Sequence, residues 1–201
     1  STSTQTLLVY GAGWSVNGVI TLRQHGGNNI LLEYGTISNR LIILALNCLT
    51  VDSWNHLVVT FDGGTTGSGS ASMSDYYSRF SIAVDGSVVS QIGSHNNYGY
   101  SGSIDGSNVS DNIYRIGRAS NISNNYTDAV INQVAIWNTD ESANLSTIYN
   151  GGVAQDLSSL SSSPAHYYEI ESSITTISDL SGNVNLTGYN FVSGDLVTDT
   201  P

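Results

Sequence analysis

The chain has 201 residues, with 16 acidic residues, five arginines and no lysine, so its formal net charge is −11. Nucleic acids and anionic lipid heads are bound by Lys and Arg that displace counterions, so this charge disfavours nucleic-acid and membrane partners. A hydrophobic content of 39% favours a folded domain over disorder, and the longest apolar run, residues 41–46, is too short to span a bilayer.

The first third of the chain consists of short apolar stretches separated by turn residues. Alternation predicts a strand from Leu8 to Trp14 and a second strand over 18–24. The turn sequence HGGNN at 25–29 follows and leads into the third strand, ILLEY. The stretch RLIILAL at 40–46 is apolar on both faces, which predicts a central strand covered on both sides.

Two further strands are predicted in WNHLVVTF (54–61) and RFSIAVDGSVVS (79–90). Asp85 and Gly86 have the residue types of a two-residue hairpin turn, in which both central positions need a positive φ. His56 has no neighbouring nucleophile or acid in the sequence, and Asp62 precedes a glycine, so these polar residues are predicted to be scaffold.

Two long polar stretches are predicted to be loops. Residues 62–79 are rich in Gly and Ser, so we expect a protruding hairpin loop there. Residues 94–112 form the second such stretch, just before the strand IYRIG. Loops of this length in a compact domain are usually functional or mobile.

The C-terminal third begins with a predicted helix over 139–152. Thr139 or Asp140 can cap its first N–H groups, and Gly151 supplies a left-handed end. A strand HYYEIE, a turn SDLSGN and a last strand around VNLTGYNF follow. We expect one domain over 1–201, in which residues 165–201 complete the sheets.

The order of these segments resembles a known superfamily. HLVVTFDG (56–63), FSIAVDG (80–86), YRIG (114–117) and the stretch 126–152, which ends in YNGG, are similar to the laminin G-like and pentraxin branch of the concanavalin A-like lectin/glucanase superfamily. The tail from 166 onwards is similar to a segment found with such domains in structural proteins of marine bacteriophages. The resemblance implies an all-β, two-sheet antiparallel jelly-roll sandwich with one short helix near 140–150.

The sequence differs from this branch at the positions where its members have calcium-binding or acidic residues. Ala129, Asn132 and Gln133 stand where the closing strand usually has Gly, Asp and Glu. The resemblance therefore does not imply the double calcium site of pentraxins. A single calcium at the rim is one reading, and solvated loop acids are the favoured one; the candidate ligands are Asp105, Asp111 and Asp128.

Catalysis is not expected. Glu169 and Glu171 lie two residues apart on one face of a strand, at a spacing near that of glycosidase carboxylates. However, the glucanases of the superfamily use a denser Glu-x-Asp-x-x-Glu pattern, which is missing here. The sequence also has no phosphate-binding Gly-rich loop and no Cys/His set with metal spacing.

The polar loops contain the residue types of binding surfaces. Tyr supplies contact area at low entropic cost, and Asn supplies adaptable hydrogen bonds, a combination that suits sugars. The alternative is that these tyrosines cover the edge of the sandwich or contact a neighbouring subunit. The candidate ligand-binding residues are His95, Asn96, Asn97, Tyr98, Tyr100, Tyr76, Tyr77, Asn124, Asn125 and Tyr126.

These observations predict a non-catalytic carbohydrate-binding or adhesion module of a virion, such as a phage tail, fibre or capsid surface, or of a cell-surface assembly. The expected location is the virion surface or the extracellular space, and the expected partners are glycans or other surface proteins. A purely structural virion subunit is the alternative, a homo-oligomer is left open, and a glycoside hydrolase is third.

Overall fold

A computed structural model shows a protein built mostly of antiparallel β-strands with little helix, as the all-β prediction requires. The chain divides into two compact units, residues 1–128 and 129–201. The single-domain arrangement therefore stays a prediction, and each unit is treated by itself. The structure describes residues 4–11, 19–35, 40–62, 73–92, 114–118, 127–170, 175–189 and 192–196.

The described part of the first unit contains a larger and a smaller sheet. The larger one has six strands in the order β8-β4-β3-β2-β1-β9, and the smaller one has three in the order β5-β6-β7. All of these pairings are antiparallel. The elements are β1 (Gln5–Tyr10), β2 (Val19–His25), β3 (Asn29–Gly35), β4 (Arg40–Ala45), β5 (Leu57–Phe61), α1 (Met73–Arg79), β6 (Phe80–Val84), β7 (Ser87–Val88), β8 (Gln91–Ile92) and β9 (Tyr114–Ile116).

The predicted turns are present. Gly26 and Gly27 have φ values of 57° and 91° between β2 and β3, and Asp85 and Gly86 have values of 49° and 75° between β6 and β7. Both hairpin predictions are confirmed, since the chain places glycine or aspartate where positive φ is required. β1 begins at Gln5, earlier than predicted, and ends at Tyr10, after which Gly11 has φ of 111°; residues 12–14 of the predicted strand lie outside the described residues.

The hydrophobic core of this unit lies between the two sheets. Alternate residues of β3 and β4 face it, and Leu41 and Ile43 are both fully buried. Ile42, on the opposite face of β4, is only 6% exposed, which confirms that β4 is covered on both sides. The buried core cluster consists of Ile30, Leu32, Leu41, Ile43, Ala45, Phe80 and Ile82.

The prediction of a loop over 62–79 is wrong at its C-terminal end, where Met73–Arg79 form α1. Residues 63–72, which contain the glycines, lie outside the described residues. The segment MSDYYSR has no glycine, and its Tyr76 and Tyr77 rings pack against the core. The prediction rested on the average composition of the whole stretch and therefore missed this short helix. The helix is stabilised by the burial of its aromatic side chains.

Residues 87–92 connect the two sheets. Ser87 and Val88 pair with β6, and the Val89 N–H donates to the Ile82 carbonyl at 2.9 Å. Gln91 and Ile92 then pair with β4 in the larger sheet. One extended run thus borders both layers of the first unit.

The second unit contains two small antiparallel sheets, formed by β10 (Gln133–Ile136) with β11 (His166–Glu169) and by β12 (Thr176–Ile177) with β13 (Leu186–Thr187). The strand predicted in HYYEIE is confirmed as β11. The last predicted strand, around VNLTGYNF, is present only as the two residues of β13, and residues 190–191 lie outside the described chain.

The helix predicted over 139–152 is broken into three pieces. A 3₁₀ turn over Ser142–Asn144 precedes α2 (Leu145–Tyr149), and a second 3₁₀ turn follows over Asn150–Gly152. The N-cap residue of the first 3₁₀ turn is Glu141, whose side chain makes no capping hydrogen bond, and the Asp140 carboxylate accepts a hydrogen bond from the Ser142 N–H at 3.0 Å. The helix stops one residue before the predicted glycine, because Asn150 already adopts φ of 50°.

Replacing the fully buried Ile82 by alanine should lower the free energy of unfolding by about 2–5 kcal/mol, because the side chain would leave a cavity between the sheets. Urea denaturation followed by tryptophan fluorescence measures this loss. Val88→Ala is the matched control, since Val88 is 60% exposed and its truncation should change the free energy by less than about 0.5 kcal/mol. Equal effects of the two changes would contradict this position of the core.

Candidate functional site

Six aromatic side chains gather at one end of the two sheets of the first unit. We call this cluster the aromatic end; its members are Tyr10, Tyr34, Phe61, Tyr76, Phe80 and Tyr114. They come from the last residues of β1, β3 and β5, the first residues of β6 and β9, and α1. Antiparallel pairing brings these strand ends together, although they are far apart in the sequence.

Strand register decides which rings share a face. Tyr10 lies opposite Ile20, which lies opposite Tyr34, so the three side chains point to the same side of the larger sheet. Tyr114 lies opposite Tyr10 from the other side. The row therefore runs from the β9 edge of the sheet towards the core.

Two groups of rings are in contact at this end. The centroids of Tyr10 and Tyr114 are 4.5 Å apart with an interplanar angle of 25°. Tyr34 lies 5.2 Å from Tyr76 and 5.3 Å from Phe80, so these rings join the core. Burial, and then the neighbouring Tyr10, raise the pKa of the Tyr114 phenol.

Several chain segments meet the described strands at the aromatic end. Residues 12–18 join β1 to β2, residues 36–39 join β3 to β4, and residues 63–72 follow β5. Residues 93–113 enter β9 at Tyr114. The described strand ends to which these segments are attached thus lie at the same end of the first unit.

Tyr76 and Tyr77 are the predicted ligand-binding residues that the structure describes. Both are half-buried, and the Tyr77 hydroxyl donates a hydrogen bond to the Gln91 carbonyl at 3.0 Å. Both rings pack against the core of the first unit, and their part in ligand binding stays a prediction. The other candidates lie outside the described residues: His95, Asn96, Asn97, Tyr98, Tyr100, Asn124, Asn125 and Tyr126.

Of the candidate calcium ligands, the structure describes Asp128, while Asp105 and Asp111 lie outside the described residues. Asp128 is exposed, and its backbone N–H donates to the Gln5 side-chain oxygen at 3.1 Å. Among the described residues, no group of three or more His, Cys, Asp or Glu side chains is placed to hold a metal ion. Calcium binding stays an untested expectation.

The polar residues of the β5–β6 hairpin support its backbone. The Asp85 carboxylate accepts a hydrogen bond from the His56 N–H at 2.9 Å, and the Asp85 N–H donates to the His56 carbonyl at the same distance. Asp62 and Arg79 form an ion pair at 3.1 Å. Burial lowers the pKa of His56, and the negative charge of Asp85 opposes this shift.

Glu169 belongs to a polar network in the second unit. The Tyr167 hydroxyl donates to its carboxylate at 2.5 Å, and the Gln133 side-chain amide donates to the same oxygen at 3.3 Å. Burial, and then the hydrogen bond and charge of Glu169, raise the pKa of Tyr167. The Gln133 amide thus takes part in holding the Glu169 carboxylate. Glu171 lies outside the described residues.

The sequence shows Asp179 only as part of a turn, but the structure makes its buried carboxylate a junction of the second unit. It accepts hydrogen bonds from the N–H groups of Tyr167, Ser181 and Val184 at 2.9–3.0 Å, and His166 Nδ1 lies 2.7 Å away. Burial acts to raise the pKa of Asp179, but these hydrogen bonds outweigh it and lower the pKa to about 2. The signal in the sequence is Asp-x-Ser-Gly-Asn, which does not reveal the donors on β11.

Comparison of the chain with family models, curated proteins and solved structures finds no match. The superfamily resemblance therefore stays an expectation. In the described part of the chain, every helix is too short or too polar to cross a lipid bilayer.

Asp179→Asn should lower the free energy of unfolding by about 2–4 kcal/mol near pH 7, because the amide cannot accept all of these hydrogen bonds. The folded-state pKa of Asp179, about 2, lies below its ordinary 3.8. The stabilisation is therefore complete above about pH 5 and is lost as the pH falls towards 2. Urea denaturation at pH 7, 4 and 2 should show the wild type and variant converging.

Asp140→Asn is the control, since Asp140 is an exposed carboxylate that also accepts a backbone hydrogen bond. This change should cost less than Asp179→Asn at pH 7. A constant difference between wild type and Asp179→Asn from pH 7 to pH 2 would refute the role of the buried carboxylate.

Proposed function

We propose that this protein is a non-catalytic binding module that recognises glycans through the chain segments attached to the aromatic end. It would act on the surface of a virion, such as a phage tail, fibre or capsid, or in a cell-surface assembly. The framework we propose for it is a concanavalin A-like, two-sheet jelly-roll sandwich. The observation that supports this proposal is that the described strand ends from which those segments leave lie together at the aromatic end.

The residue types of the attached segments support recognition. Residues 93–113 contain His95, two asparagines and two tyrosines among Gly and Ser. The aromatic rings can pack on the C–H faces of sugars, and the amides can bind sugar hydroxyls. The absence of lysine and the net charge of −11 favour neutral ligands over acidic ones.

The packing within the first unit supports the two-layer framework. A six-stranded and a three-stranded antiparallel sheet share one core, and residues 87–92 pair with both. Such a rigid scaffold suits a protein whose ligand contacts lie in connecting segments.

The surroundings of Glu169 support a non-catalytic function. Its carboxylate oxygen already accepts hydrogen bonds from Tyr167 and Gln133, so it is held by the fold. A general acid needs a carboxyl that can reach the substrate and exchange a proton. Glu169 acts instead as an acceptor within the second unit.

A glycan array tests the proposal directly. The wild type should bind a subset of neutral glycans, and the double change Tyr98→Ala with Tyr100→Ala should weaken this binding at least tenfold without changing the melting temperature. Tyr189→Ala is a control outside these segments, because Tyr189 is 73% exposed in the second unit. An array without hits, together with unchanged adsorption of the double variant, would refute glycan recognition.

Exposed apolar side chains in the second unit favour a different function, that of a structural subunit which contacts other proteins. Leu180, Val184 and Val192 are 49%, 60% and 64% exposed. The Val184 N–H donates to the Asp179 carboxylate and the Leu180 N–H donates to the Tyr167 carbonyl, so the turn presents both side chains to solvent in a fixed arrangement.

Size-exclusion chromatography with light scattering distinguishes the two functions. The binding-module proposal expects a monomer at micromolar concentration, whereas a structural subunit expects a stable trimer or larger oligomer. If an oligomer forms, Val184→Ser should dissociate it, and Val88→Ser, at a similarly exposed position of the first unit, should not.

A further inference from the structure

We propose that the outer edge of β5 is an interface through which two copies of this chain pair as antiparallel strands. This interaction surface lies in the first unit and is independent of glycan recognition. In the described part of the chain, β5 (Leu57–Phe61) pairs with β6 alone and is therefore an edge of the three-stranded sheet.

The hydrogen bonds between β5 and β6 decide which backbone groups point away from β6. In an antiparallel pair, residues that bond to the neighbouring strand alternate with residues whose N–H and C=O groups point the other way. The Asp85 N–H donates to the His56 carbonyl at 2.9 Å just before β5. The Asp62 N–H donates to the Arg79 carbonyl at 3.1 Å just after it. The even-numbered positions therefore bond to β6, and the outward groups belong to the odd-numbered residues Leu57, Val59 and Phe61.

Burial differs between the two paired strands in the way expected for an accessible edge. Phe80, Ile82 and Val84 of β6 are 5%, 0% and 5% exposed. The residues opposite them in β5 are all half-buried, although they face the same side of the sheet. The two strands line the same core, so the greater exposure of β5 follows from its place at the sheet edge.

β5 lacks the features that keep edge strands from pairing with other chains. Proteins protect such edges with charged residues, proline, bulges or very short strands. The sequence LVVTF has no charged residue and no proline, and its register with β6 has no shift. The other edge strands in the described part of the first unit, β7, β8 and β9, have only two or three residues. β5 is thus the edge best suited to accept a further strand.

The outward groups of β5 are self-complementary, which points to a second copy as the occupant. A two-fold axis at Val59 places Leu57 of each copy opposite Phe61 of the other, and Val59 opposite its equivalent. All three outward residues then exchange hydrogen bonds, whereas a register shifted by two residues would use only two of them. Asp62 comes to lie opposite His56 of the other copy, so no two carboxylates face each other.

The contact is short, so the dimer is weak. Five residues at about 3.4 Å each span roughly 17 Å. A contact of this length is smaller than the interfaces of about 1,200–2,000 Å² in stable complexes. The net charge of −11 on each copy adds repulsion, which salt screens. We expect a dissociation constant of roughly 0.1–1 mM, which agrees with a monomer at micromolar concentration.

Amide hydrogen exchange, read residue by residue by mass spectrometry, tests the edge without any substitution. At about 10 µM protein, the N–H groups of Leu57, Val59 and Phe61 should exchange much faster than those of Val58 and Thr60, which bond to β6. At about 1 mM, pairing should slow the three outward groups roughly two- to fivefold, in proportion to the fraction of dimer. Val58 and Thr60 should not change.

Val59→Pro tests the interface by removing an outward N–H. Proline is tolerated on an edge strand whose N–H faces solvent, so the pairing with β6 should remain. Val88→Pro is the matched control on the opposite edge of the same sheet. The Val89 N–H bonds to the Ile82 carbonyl of β6, so by the same alternation the Val88 N–H points away from that strand.

Small-angle X-ray scattering gives the average mass of each protein. At about 1 mM, the wild type and Val88→Pro should reach roughly 1.5 to 1.8 times the monomer mass, whereas Val59→Pro should stay close to the monomer. Melting temperatures show whether each variant is folded. If Val59→Pro does not fold, the exchange measurement on the wild type decides alone.

Three results would overturn the inference. Slow exchange of the three outward groups already at about 10 µM would mean that the edge is covered within one copy. Exchange that does not depend on protein concentration would mean that β5 does not pair. A folded Val59→Pro with the same average mass as a dimeric wild type would place the contact on another surface. None of these results bears on the glycan array, so the two proposals are tested separately.

Discussion

The antiparallel register of β1 to β4 is the constraint on which the first unit depends. Side chains alternate between the two faces of a strand, so a shift of one strand by one residue would move all of its side chains to the opposite face of the sheet. The existing register places Leu32 beside Ile43 in the core and Tyr10 in the same row as Tyr34. Core and aromatic end therefore have one cause, and the pairing that buries aliphatic side chains also gathers the rings at the strand ends.

Buried carboxylates have the corresponding role in the second unit. Asp179 joins the turn after β12 to β11 through backbone donors, and Glu141 accepts hydrogen bonds from Thr139, Ser162 and Asn144 near the start of α2. The hydrogen bonds that these carboxylates accept hold irregular chain segments in place. Such segments need them because they lack the regular backbone hydrogen bonds of a sheet. This use of charge explains why a unit with short strands has defined turns.

The fold was more predictable than the candidate site. Local patterns predict the Asp85–Gly86 turn, β4 and β11. Strands are recognised by their runs of apolar residues, and a turn with positive φ by its glycine or aspartate. The sequence gives only a weak signal for the helix α1, because this helix is stabilised by the packing of Tyr76 and Tyr77 on residues that are distant in the chain. Loop composition indicated a binding surface, but composition carries no information on which side chains are already used by the core.

The sequence by itself determined the acidic, lysine-free surface, the strand-rich composition and most of the turns, because each depends on residue type or on neighbours within a few positions. Only the tertiary structure decided that Tyr10 stacks on Tyr114 and that the Asp179 carboxylate accepts the N–H of Tyr167 in β11. Such contacts join residues whose separation along the chain says nothing about their distance. They arise from strand pairing and burial, which the whole unit decides together.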